Sequence, residues 1–202
     1  MSNPRRSVFA AALLLAAPCA AQAATVVNPS FELPGLGAGQ FVYGISAPGW
    51  TFGNSNGITW VPSSWDFVTP IDGTHVAFMQ SAASISQTIL DLSPGATYQV
   101  TFAASHRPGY VLNPLTVTFD STQIFAVTPT SDFWLDFTTA SFVASAMTGV
   151  LTFTSAGGLG DTGSGIDLVR LTQVTELSEP ATLALLGGAL GALAMIRRRK
   201  PR

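Results

Sequence analysis

Cysteine is almost missing from this chain: of 202 residues the only one is Cys19, inside an apolar leader. No disulfide can brace the domain downstream of it, although exported proteins usually have access to them. Histidine is nearly as scarce, at two. A His/Cys metal cluster of the zinc type is therefore excluded. Basic residues are the third shortage. Between residues 25 and 179 only Arg107 and Arg170 are cationic, against all eleven acids, a net charge of −9 there. Such a surface repels phosphate backbones, which excludes nucleic acid as a partner. Helical periodicity is absent as well: no window between Thr25 and Thr175 repeats its apolar residues at a 3.6-residue period.

Catalytic signatures are equally thin. Asp161-Thr162-Gly163 has the letters of an aspartic-protease loop, but that chemistry needs two aspartates sharing a proton, and no second copy occurs. Ser164 lacks the Gly-x-Ser-x-Gly setting of a hydrolase elbow. A glycosidase needs two converging carboxylates, and spacing selects no pair among the eleven acids. The residues read as a non-catalytic chain, with a glycan hydrolase as the minor alternative.

What is present organises the two ends first. Arg5-Arg6, an apolar run from Val8 to Ala17 and the small-residue exit Ala21-Gln22-Ala23 make residues 1–24 a secretory signal peptide. At the other end, residues 175–180 read as linker, 181–196 as an uncharged apolar transmembrane helix and 197–202 as a basic tail. Sixteen helical residues span roughly 24 Å, slightly short of a full hydrocarbon core. Basic residues after the span should remain cytoplasmic, so the domain before it faces outward. The middle, 25–174, is long enough for one domain with its own core.

That domain reads as strands. Tyr98, Val100 and Phe102 alternate with polar neighbours, as do Leu115, Val117 and Phe119, then Phe133, Leu135 and Phe137. Ser84 to Leu92 and Val150 to Phe153 add two more. Turn pairs punctuate them: Pro34-Gly35, Pro48-Gly49, Asp72-Gly73, Pro94-Gly95, Pro108-Gly109. Many short strands between regular turns predict an all-β antiparallel sandwich or jelly roll.

Two family resemblances are visible. Ser178-Glu179-Pro180, the apolar helix and the Arg-rich end resemble the PEP-CTERM sorting signal of Gram-negative bacteria, with Ser where that family usually has Pro. The resemblance implies processing by an exosortase, a membrane protease, and delivery to the cell surface or extracellular matrix. Asn28-Pro29-Ser30-Phe31-Glu32, Gly49-Trp50, Gly95-x-x-Tyr98-x-Val100-x-Phe102 and the closing Ile166-Asp167-Leu168-Val169-Arg170-Leu171 resemble galactose-binding-domain-like jelly rolls, including carbohydrate-binding modules. In those relatives, acids at the positions of Glu32 and Asp167 help to hold a structural calcium. The resemblance thus implies calcium at this pair, and an extracellular polysaccharide as partner.

From the residues themselves, Asp167 shares strand parity with Val169 and Leu171, so it is expected on their face. Solvation at strand ends, or pairing with an arginine, is the alternative role for it and Glu32. Trp60 and Trp65 fall in a Pro/Ser/Asn-rich stretch expected to be loop, and Tyr110 lies in another. Large aromatics exposed in loops can stack on sugar rings. Ordinary packing is open to all three. Trp50, after its turn, is expected in the core.

Overall fold

The computed structural model describes residues 24–53, 55–158 and 160–174. The expected signal peptide, apolar helix, basic tail and Ser178-Glu179-Pro180 motif fall outside these residues. Twelve strands and no helix make up the described part. They are β1 Phe41–Tyr43, β2 Thr51–Phe52, β3 Asn56–Trp60, β4 His75–Gln80, β5 Ala82–Ile89 and β6 Thr97–His106. The remainder are β7 Leu115–Phe119, β8 Thr122–Val127, β9 Leu135–Thr138, β10 Phe142–Val143, β11 Gly149–Ala156 and β12 Gly163–Gln173.

Their pairing forms the expected all-β antiparallel sandwich. Sheet one runs β1-β3-β4-β12-β6, with β9 and β10 both paired to β6. Sheet two runs β2-β5-β11-β7-β8. Each named pair is antiparallel. The pleat explains why these sequences become strands. In β11, Leu151, Phe153 and Ser155 are buried while Val150, Thr154 and Ala156 are exposed. In β7, Leu115, Val117 and Phe119 point inward in the same way.

The core between the sheets takes Val100 and Phe102 from β6, Met79 from β4, Ile166 from β12, and Phe153 from β11. Phe102 and Phe153 meet edge to face at 5.1 Å, bridging the two sheets. Trp50 joins this core at 4% exposure, as expected, and donates its indole N–H to the Asn28 carbonyl at 3.0 Å.

A second, smaller cluster covers the other face of sheet one. It holds Val61, Trp65, Phe67, Val76 and Phe78, with Trp134 packed against it. Phe78 reaches this outer face because its β4 neighbours Ala77 and Met79 point into the main core. Gly57 and Gly165, cross-strand from Phe78, leave room for this cluster: a Cβ at Gly57 would lie 3.0 Å from the Phe78 ring, and one at Gly165 would meet Trp134 at 2.5 Å.

Strand parity misplaces Asp167. Leu168 takes φ 53° and is the extra residue of a bulge between Asp167 and Arg170. The bulge shifts the alternation by one. Asp167 therefore stands opposite Ala103, whereas Ile166 and Val169 on either side both enter the core.

Candidate functional site

The outer face of sheet one places polar side chains beside aromatic rings. Gln80, two residues after Phe78, follows the same parity to this face. Its amide links two strand ends. Tyr43 on β1 donates its hydroxyl to Gln80 Oε1 at 2.6 Å, and Gln80 Nε2 donates to Asp161 Oδ1 at 2.6 Å. The other Asp161 oxygen lies 3.6 Å from Arg107 Nη1. The result is a string of four, Tyr43–Gln80–Asp161–Arg107, running from β1 past β4 to the segment after β6.

Arg107 is the anchor. It is 7% exposed, and its guanidinium lies 4.0 Å from the Trp65 ring centroid and 3.5 Å from that of Tyr110. A cation between two ring faces gains about 0.5–2 kcal/mol from each. Nη2 donates to the Ser64 carbonyl at 3.2 Å, while Nε is buried without a partner. Gly163 makes the space, since a Cβ there would come within 2.8 Å of Arg107 Cδ. Tyr43, Phe41 and the half-buried Tyr110 leave ring surface open to solvent.

His106 fixes the loop that carries Tyr110. Its Nε2 donates to the Tyr110 carbonyl at 2.8 Å, and its Nδ1 lies 2.9 Å from Asp132 Oδ1. The Tyr43 hydroxyl is pushed above its usual range, first by burial and further by the Asp161 charge, with Arg107 opposing.

The structure separates the three aromatics expected to stack on sugar. Tyr110 is half-buried, with Arg107 against its ring. Trp65 is corrected: it is 2% exposed, stacked on Phe78 at 3.9 Å and covered by Arg107, so no ring face is free. Its polar-looking loop folds inward because sheet one presents Phe78 to it and the loop's own Phe67 packs alongside. Trp60 ends β3 rather than lying in a loop, and shares parity with the core residue Ile58. It meets His75 edge-on at 5.0 Å, on the face opposite Trp65 and Tyr110.

Glu32 and Asp167 are brought to one loop, Ile71 to His75. Glu32 accepts from the Thr74 and His75 amides at 2.8 Å each, from His75 Nδ1 at 2.8 Å and from the Thr74 hydroxyl at 3.4 Å. Burial pushes its carboxyl up, but the His75 and Thr74 hydrogen bonds and the His75 charge together outweigh that, and it sits below its usual range. Gly73, at φ 66°, is needed because a Cβ would run into this carboxylate. Asp167 accepts from the amides of Ile71 at 3.1 Å, Asp72 at 3.2 Å and Leu168 at 2.7 Å. Burial lifts its carboxyl to about 7 against these bonds. N–H donors surround both carboxylates, and no group of three or more His, Cys, Asp or Glu gathers for a metal among the described residues. This donor-lined arrangement does not fit a cation; calcium would have to displace the amides.

Arg107 and Asp161 are site members that the sequence does not announce. Both sit in Gly/Pro-rich segments, and nothing local marks them as neighbours across 54 positions. The one available signal is scarcity, since Arg107 is one of two arginines in an acidic domain.

Residues 22–124 match the family model described as HpiC1-like, HpiC1 cyclase. The chain belongs to the HpiC1-like family. The matched span includes Tyr43, Gln80, Arg107 and Tyr110, whereas Asp161 lies beyond it. No curated protein matches the sequence. Among solved structures, TmCBM61 in complex with β-1,4-galactotriose is 18% identical with a TM-score of 0.51, over 73% of this chain and 96% of that one. The CBM22-1–CBM22-2 tandem of Paenibacillus barcinonensis Xyn10C is 15% identical, TM-score 0.53, over 80% and 48%. The CBM22-1–GH10 modules of Clostridium thermocellum xylanase 10B with xylohexaose are 17% identical, TM-score 0.50, over 74% and 29%. These HpiC1-like residues thus share the sandwich fold of carbohydrate-binding modules.

Proposed function

We propose that the chain is a non-catalytic polysaccharide-binding module carried on an exported protein. The Tyr43–Gln80–Asp161–Arg107–Tyr110 string carries the reading. Sugars are held by apolar contact between ring C–H faces and aromatic rings, and by hydrogen bonds to planar polar groups. Phe41, Tyr43 and Tyr110 offer the first; Gln80 and Asp161 offer the second, with Arg107 holding Asp161 in place. The sugar-bound structures of the same fold support the class of ligand. The test is affinity electrophoresis of the full chain in β-1,4-galactan, xylan and matrix polysaccharide, repeated with Tyr110→Ala and Gln80→Ala. Retardation lost in both variants is expected. No retardation in any polymer leaves a structural surface protein and ends the binding reading.

A second reading, catalysis, is favoured by one observation, the cyclase in the family's description. Turnover of a cyclisable substrate that vanishes with Asp161→Asn would replace the first reading.

Delivery belongs to the same proposal. The leader is cut near Ala23, the apolar helix holds the chain in the inner membrane, and an exosortase processes it at Ser178-Glu179-Pro180 for release to the surface or matrix. Mass spectrometry of surface protein reads both new termini; intact polypeptide in the cytosol would sink this part.

A further inference from the structure

A second cleft lies on sheet one, lined by none of the residues of the string. Its volume is about 260 Å³, and its walls include Thr101, Asp136, Thr138, Leu168, Arg170 and Ile71. Strand register builds it. Thr101 of β6 stands between Thr138 of β9 and Arg170 of β12, and Asp136 lies one row along opposite Ala103. These side chains alternate with Phe102 and Phe137, whose rings meet at 5.6 Å, so they face outward. The Leu168 bulge sets Arg170 in register with Thr101 and lets Leu168 leave the ladder to form a wall. Ile71 forms the other wall, and its amide is pinned to buried Asp167 at 3.1 Å.

Asp136 and Arg170 line this cleft together, yet no ion pair joins them among the described residues. No side-chain hydrogen bond or ion pair engages either of them among the described residues. Two threonine hydroxyls add donors and acceptors, and Ile71 and Leu168 add apolar surface.

We infer that this cleft binds one neutral pyranose ring. Adjacent sugar hydroxyls donate to the Asp136 carboxylate and accept from the Arg170 guanidinium, while a ring C–H face rests on Ile71 and Leu168. A uronic acid fits worse, because its carboxylate would meet Asp136 as well as Arg170. The inference takes its ligand class from the polysaccharide reading but uses a separate set of side chains.

The test is NMR titration of the full-length chain with galactose, xylose and galacturonic acid. Neutral sugars are expected to shift the Thr101, Thr138 and Leu168 amides. Arg170→Ala and Asp136→Asn should each weaken this binding about tenfold, the consequence of losing a charge-assisted hydrogen bond. Tyr110→Ala should leave it unchanged. Arg170 and Asp136 are exposed, so the melting temperature should hold in both variants. Shifts with galacturonic acid alone, or none at these amides, overturn the inference. If polymer retardation persists while these amides stay silent, this cleft fails and the string survives. If retardation and these shifts are both absent, the polysaccharide reading fails as well.

Discussion

Replacing Trp65 with alanine separates a packing role from a binding role. The indole is 2% exposed, stacks on Phe78 at 3.9 Å and Phe67 at 6.1 Å, and lies under the Arg107 guanidinium at 4.0 Å. Truncating a buried aromatic of this kind costs about 3–5 kcal/mol through lost transfer energy and the cavity left behind. Losing one face of the cation–π sandwich adds about 0.5–2 kcal/mol. In a domain of this size each kcal/mol moves the midpoint by about 2–4 °C, so a fall of roughly 10 °C or more is expected. Scanning calorimetry and a urea titration would measure it. Trp65→Phe, which keeps a ring on Phe78, should recover part of the loss. A Trp65→Ala melting temperature within about 2 °C of wild type would refute the burial and the anchoring of Arg107 built on it.

Three further outcomes are expected. Gly163→Ala drives a methyl into Arg107, 2.8 Å from Cδ, so it should cost about 1–3 kcal/mol and weaken polysaccharide retardation without touching ligand; unchanged retardation argues against the guanidinium as anchor. Asp167, at about 7 in the fold against 3.8 when unfolded, binds a proton that the unfolded chain releases. Its contribution, on the order of 4 kcal/mol, is therefore present below pH 3.8 and lost as pH rises to about 7. Glu32 slopes the other way: its lowered carboxyl stabilises above pH 4.5, and that is lost in acid. Asp167→Asn should flatten the urea midpoint between pH 4.5 and 7, and a parallel slope in both proteins would contradict this. Finally, chelation should leave the melting temperature unchanged, because amides already line Glu32 and Asp167; a rise of several degrees on adding calcium would restore the cation reading at that pair.

The sandwich is legible in the sequence because its signal is local. Leu151 and Phe153, or Tyr98, Val100 and Phe102, alternate with polar neighbours, and a pleated strand has only two faces. Asp72-Gly73 likewise announces a turn, since the left-handed backbone at Gly73 excludes a side chain. The same alternation rule misleads at Asp167, because one added residue at Leu168 inverts it and no letter marks a bulge. Trp65 misleads because its polar neighbours suggest a loop in solvent, whereas Phe78 and Phe67 supply an apolar bed beneath it.

The sequence by itself determined the all-β class, the core faces of β6 and β7 and an acidic domain with two arginines, each a property of neighbouring residues or of a count. Only the tertiary structure decided that Arg107 would lie between Trp65 and Tyr110, and that Tyr43, Gln80 and Asp161 would meet on one face. Those contacts depend on the register of strands far apart in the chain, which is selected by how the whole core packs.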